Sequence, residues 1–141
     1  MSKILCATRG GEASYRTQDA AIALAKTRAA ELVFLFVVDI GFLDKTERAV
    51  RPDVVAEEMT HMGEFLLSMA QERAEAEGIT AQRRIYRGTV REELAAAAKQ
   101  EGADTLILGK PADEGSAFSL EALERLADDI EQDSGVKVKV F

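Results

Sequence analysis

The sequence predicts an α/β protein in which a parallel β-sheet lies between layers of helices. Two observations lead there. Short apolar runs rich in β-branched residues alternate with longer runs of helical period, nine elements in all, beginning and ending on a strand. The run 31–39 is almost continuously apolar, as a strand covered on both faces must be. Right-handed crossovers between parallel strands place the intervening helices on the two sheet faces.

Ile4–Thr8 (ILCAT) is the first strand, and Ala13–Ala30 is a helix with Ala20, Ala21, Leu24 and Ala25 at helical spacing. Glu31–Asp39 (ELVFLFVVD) is the second strand, followed by a mixed, charged connection, IGFLDKTERAVRPD. Val54–Glu77 is a long helix whose Val55, Met59, Met62, Phe65, Leu66 and Met69 form a stripe, read as core packing rather than as an adaptable binding face. Gly78 is its stop, and Ile79–Arg87 (ITAQRRIYR) is a more polar strand expected near a sheet edge. Thr89 and Glu92 have the spacing of a capping box for the next helix, which runs through LAAAAKQ to Gly102. Asp104–Leu108 is a strand closed by Gly109. After a polar loop, Ser119 is the expected N-cap of a helix carrying Leu120, Leu123, Leu126, Ala127 and Ile130. Gly135 closes that helix, and Val136–Phe141 (VKVKVF) alternates strictly as the last strand.

Composition narrows the function. The 141 residues form a single expected domain, 1–141, with 47% apolar and 30% charged residues, the balance of a globular chain. A net charge of −7 argues against a large nucleic-acid or anionic-membrane surface. No stretch has the length of a bilayer span and the first residues lack a signal-peptide pattern, so the expected location is the cytoplasm. The one cysteine, Cys6, sits in an apolar run and is read as a buried inert thiol. The one histidine, His61, lacks metal-site spacing to any neighbour, so no metal site is expected. One His and one Cys assemble no nucleophilic triad, and no P-loop lysine precedes a Ser or Thr, so no enzyme activity is expected.

Parallel sheets bind ligands beyond the carboxyl ends of their strands, where strand order reverses. If the first and fourth strands are the central neighbours, the loops Arg9–Glu12 and Gly109–Phe118 converge at such a mouth. Gly10 and Gly11 serve there as a tight strand-to-helix turn or as an anion nest, and the turn is needed in either case. Arg9 has three readings: pairing with Asp113 or Glu114 of the opposite loop, binding an anionic ligand, or an ordinary solvated side chain.

ILCATRGGEAS, AELVFLFVVD, GTVREELAAAAKQEGADTLILG and VKVKVF, in that order, resemble successive segments of the universal stress protein family, and the resemblance spans essentially the whole chain. It implies a Rossmann-like three-layer sandwich of the adenine nucleotide alpha hydrolase-like type, with five parallel strands in the order 3-2-1-4-5. Lys137 and Lys139 read either as guards of an exposed edge strand or as the water-facing side of a dimer seam of Val136, Val138 and Val140, and the resemblance, which implies a homodimer often formed through the last strand, favours the seam. ATP-binding members carry a glycine, two residues, a glycine, nine residues, then glycine and Ser or Thr. Counted from Gly109, those positions hold Ala112, Ala122 and Leu123, so the pattern fails. Lys110 is the one cation of the loop, Pro111 removes an N–H donor, and Asp113 and Glu114 oppose a triphosphate. In the front loop the family's Asp is replaced by Arg9 and its Ser by Gly11, whereas Val38 and Asp39 fit the position where backbone reads an adenine edge.

The resulting expectation is a stress-response or regulatory homodimer with a degenerate ATP motif and no cofactor, acting on a protein partner or small ligand. The alternative is an ATP-binding or other nucleotide-binding member with a remodelled phosphate loop using Gly115, Ser116 and Ser119. A nucleotide-phosphate hydrolase on the same fold is a third reading. The candidate cleft comprises Thr8, Arg9, Gly10, Gly11, Val38, Asp39, Gly109, Lys110, Gly115, Ser116 and Ser119.

Overall fold

The computed structural model describes residues 2–9, 12–41, 51–110 and 120–141. The elements are β1 (Lys3–Ala7), α1 (Glu12–Arg28), β2 (Glu31–Val38), α2 (Pro52–Ala76), β3 (Ala81–Arg87), α3 (Val90–Glu101), β4 (Thr105–Leu108), α4 (Leu120–Ser134) and β5 (Lys137–Val140). All strand pairs are parallel and the order is β3-β2-β1-β4-β5, as expected from the sequence. The polar strand β3 lies at one edge and β5 at the other.

The two-residue period of the strands divides the core into two halves. Ile4, Cys6, Phe34, Phe36 and Ile107 point to one face, where Ala21, Ile22 and Ala25 of α1 and Leu67, Ala70 and Ala74 of α2 cover them. Leu5, Val33, Leu35, Leu106 and Leu108 point to the other, beneath Leu94, Ala97 and Ala98 of α3 and Leu123, Ala127 and Ile130 of α4. The register aligns Leu5 with both Val33 and Leu106, so three strands deliver one layer to the α3–α4 side.

Helix α2 departs from the stripe read in the sequence. Its buried residues are Ala56, Gly63, Leu67, Ala70 and Ala74, with Met59 and Leu66 packed beside them. Met62 is 48% and Phe65 is 64% exposed, so these two are not core residues. The helix sits close to the sheet because its seam is built of small residues. A Cβ on Gly63 would lie 2.5 Å from the Phe36 ring, so glycine is what lets the two approach. Its C-terminal stop is as expected: Gly78 has φ 81°, and Ile79 donates its N–H to the Ala74 carbonyl at 2.9 Å.

The capping box proposed at Thr89 does not form. Thr89 is the N-cap of α3, but its side chain makes no capping bond. The first helical N–H, of Val90, is instead taken by the Asp39 carboxylate at 3.0 Å. A residue at the end of β2 thus caps a helix fifty-one positions later in the chain. The N-cap expected at Ser119 lies outside the described residues.

Candidate functional site

The reversal in strand order falls between β1 and β4, and the carboxyl ends of β1, β2 and β4 open there into a pocket of about 80 Å³. Leu35 and Leu108 rise from the sheet; Val90 and Leu94 come from α3, and Leu123 and Leu126 from α4. Each helix contributes a pair spaced three or four residues apart on its sheet-facing side. The sequence reading of the cleft omitted these pairs, although their helical spacing was visible. The main chain of Ala7 to Arg9 forms one wall, fixed by the Thr8 N–H bonded to the Leu35 carbonyl at 2.9 Å.

Thr8, Arg9 and Gly109 meet at this mouth. The Arg9 guanidinium reaches across it and donates to the Gly109 carbonyl at 3.3 Å. Arg9 therefore spans the gap between the ends of β1 and β4. Gly109 is tightly placed for a second reason. A Cβ there would come within 2.6 Å of the Thr17 hydroxyl, so α1 and the end of β4 touch at a point with no room for a side chain.

Beneath the mouth, on the α1 side, lies a small buried polar group. Thr8, Thr17 and Gln18 are each 3% exposed. Gln18 Nε2 donates to the Thr8 hydroxyl at 3.0 Å, which commits that hydroxyl to the face opposite the pocket. Cys6 lies deeper in the same strand, fully buried, and burial pushes its thiol up to about 12. That thiol stays protonated at neutral pH, in accord with the inert reading.

Val38 and Asp39 belong to a separate groove of about 510 Å³ between the starts of α2 and α3, together with Arg87 and Gly88. The Val38 carbonyl accepts the Gly88 N–H at 3.0 Å, and Asp39 Oδ1 accepts the Gly41 N–H at 2.9 Å. Lys110 stands exposed just beyond Gly109, its N–H bonded to the Phe141 carbonyl at 2.6 Å. Gly10, Gly11, Gly115, Ser116 and Ser119 of the expected cleft lie outside the described residues, as do Asp113 and Glu114. Among the described residues no group of three or more His, Cys, Asp or Glu could hold a metal ion, and His61 is exposed on α2. No helix among them is long and apolar enough to cross a membrane.

A five-stranded parallel sheet in this order, with an opening at its switch point, defines a Rossmann-like α/β protein. The sequence profile of the universal stress protein family matches residues 1–120, and the chain belongs to that family. A universal stress family protein from Burkholderia pseudomallei has a similar structure, with a TM-score of 0.77 and 25% identity over 99% of this chain and 95% of that one. UspA from Lactobacillus plantarum gives a TM-score of 0.75 at 18% identity, covering 99% of this chain and 97% of its own. A universal stress protein in complex with cAMP gives 0.69 at 22% identity, covering 99% and 96%. Comparison with curated proteins finds no match.

Proposed function

We propose that this chain is a non-enzymatic regulatory universal stress protein, acting in the cytoplasm as a homodimer, that does not hold ATP through the phosphate contacts described above. The observation that carries this reading is Leu123. Where ATP-binding members place a hydroxyl, this chain has a leucine that is 4% exposed and packs into the α3–α4 half of the core. A triphosphate needs donors and cations at that point, and a buried leucine offers neither. Arg9, at the position of the family's acidic residue, bonds to the end of β4.

The dimer reading is supported by β5, which ends the sheet with Val138 and Val140 half-buried and Phe141 37% exposed, whereas Val136, also expected at the seam, is buried in the α3–α4 half of its own chain's core. Of the two lysines expected to face water, Lys137 is exposed and Lys139 is half-buried. Sedimentation equilibrium at micromolar protein is expected to give twice the chain mass; a monomer would refute this part.

A second reading keeps a nucleotide, and the open groove beside Val38 and Asp39 favours it. A structurally similar protein is known in complex with cAMP. Melting temperature measured with Mg²⁺ and millimolar ATP, ADP, AMP or cAMP separates the two. A ligand present at about 100 times its Kd stabilises by roughly 2.7 kcal/mol. No shift is expected; a saturable shift with any of the four would establish the second reading.

A further inference from the structure

We propose that the outer face of α2 docks a basic amphipathic helix of another protein, with Phe65 as the central apolar contact. This names the class of partner that the regulatory reading requires, and it rests on that reading. Among the described residues five large apolar side chains are exposed, and three of them, Val54, Met62 and Phe65, stand on α2. Scattered singly, such residues would mean little. Here Met62, Phe65 and the half-buried Met69 follow at spacings of three and four residues, so they form one stripe along the helix. Methionine side chains adapt their shape to whatever packs on them. The stripe continues into a groove of about 330 Å³ lined by Tyr15 of α1 and by Met69, Glu72, Arg73 and Ala76. Arg73 brings no free charge to that groove, because it donates to the Asp19 carboxylate and lies 4.5 Å from the centre of the Tyr15 ring.

Charge decides which partner fits. Glu58 stands seven residues before Phe65 and Glu72 seven after it, two turns each way along the same face. Both are exposed, and among the described residues neither is matched by a cation. From Val54 to Glu72 the helix carries the acids Glu57, Glu58, Glu64 and Glu72 and no Lys or Arg. The complementary surface is an apolar anchor with Lys or Arg about 10 Å to either side, which one face of a basic amphipathic helix supplies. A second copy of this chain would set the same acids against each other, and an anionic membrane is repelled for the same reason. Helix α2 covers β2 and β3, at the opposite side of the sheet from β5, so docking there leaves the β5 edge open.

The test is a titration of the full chain followed through its methionine methyl NMR signals, three of the four methionines being on α2. The probe is a synthetic alanine-rich helix with leucines at the centre of one face and lysines seven residues to either side. The Met62 and Met69 signals are expected to shift saturably, and Met59, packed beside the core, to move least. The same peptide with glutamate in place of lysine should not bind. Phe65→Ala should weaken binding about tenfold. Phe65 is exposed, so the fold is kept, and Met62→Ser gives a second reading on the same stripe. Glu58→Gln with Glu72→Gln should weaken binding about threefold at low ionic strength and have no effect in about 0.5 M salt. Glu121→Gln with Glu124→Gln, at exposed positions of α4 across the sheet, should leave binding unchanged. No binding, binding indifferent to Phe65→Ala, or an equal loss from the α4 pair would overturn the proposal and leave the nucleotide and dimer measurements as they stand. Tighter binding to phosphatidylglycerol vesicles than to the peptide would give the face to a membrane and overturn it. Loss of the dimer in Phe65→Ala would give the face to a second copy and overturn it too.

Discussion

The two openings at the carboxyl end of the sheet differ in what builds them. The groove beside β2 and β3 is made by main chain and one carboxylate: Asp39 holds the N–H groups of Gly41 and Val90, and the Val38 carbonyl holds Gly88. The pocket beside β1 and β4 is made by side chains, leucines from the sheet, α3 and α4 with an arginine across the top. Main-chain geometry follows from the fold and tolerates sequence change, whereas a side-chain site is rewritten by a few substitutions. One half of the mouth is accordingly polar and built on main chain, and the other is lined by apolar side chains.

Substitutions can break this contrast in order of size. Leu123→Ala removes a buried side chain from the pocket wall and is expected to cost about 2–4 kcal/mol in urea denaturation. A loss below about 1 kcal/mol would mean the wall is not packed as described. Asp39→Ala leaves two backbone N–H groups without their carboxylate, for an expected loss of about 1–2 kcal/mol. Thr89→Ala is expected to change stability by less than about 0.5 kcal/mol, because Asp39 already caps α3 and the Thr89 side chain makes no capping bond. Equal losses at Asp39 and Thr89 would restore the capping box and refute the cross-chain cap.

The smallest effect lies at the opposite end of the sheet and serves as a control. The Ser2 hydroxyl beside Asp104, bonded at 2.6 Å, holds its carboxyl below the ordinary value of 3.8, with Thr105, the Lys3 main chain and Arg28 adding to it. A lowered carboxyl stabilises the fold above its unfolded-state value, and that contribution is lost as pH falls through the folded-state value. Acid titration monitored by circular dichroism should therefore show a slightly steeper loss below about pH 4 for the parent than for Asp104→Asn. The ranking of the cleft variants should be the same in either background, since the sites are far apart.

Much of the fold was legible because burial imposes period. The continuous run LVFLFVV could only be a strand covered on both faces, and its residues do divide between the two core halves. AQRRIYR was polar enough to mark an edge. The α2 stripe was misread for a physical reason: pattern reading weights large side chains, while this helix packs through Ala56, Gly63, Ala70 and Ala74. Met62 and Phe65 lie on a face turned from the sheet. In the site, the switch point and the nearness of Arg9 to the end of β4 followed from topology, whereas the Gly109 carbonyl was not among the partners expected for Arg9. The Asp39 cap did not, because it joins residues fifty-one positions apart and no local pattern records it. Nor did the leucine lining, since an i, i+3 pair on a core helix looks the same whether it fills a void or borders one.

Cys6 has a use beyond its inertness. The chain has no tryptophan to report on folding by fluorescence, but it has one thiol, wholly buried at the centre of the sheet and protonated at neutral pH. A thiol reagent can reach it only when the central strand is exposed, so the labelling rate counts excursions of the whole molecule out of its native state. Any molecule that favours the folded form lowers that count in proportion to its occupancy. The natural sequence thus carries its own stopwatch for ligand screening, with no dye, tag or substitution.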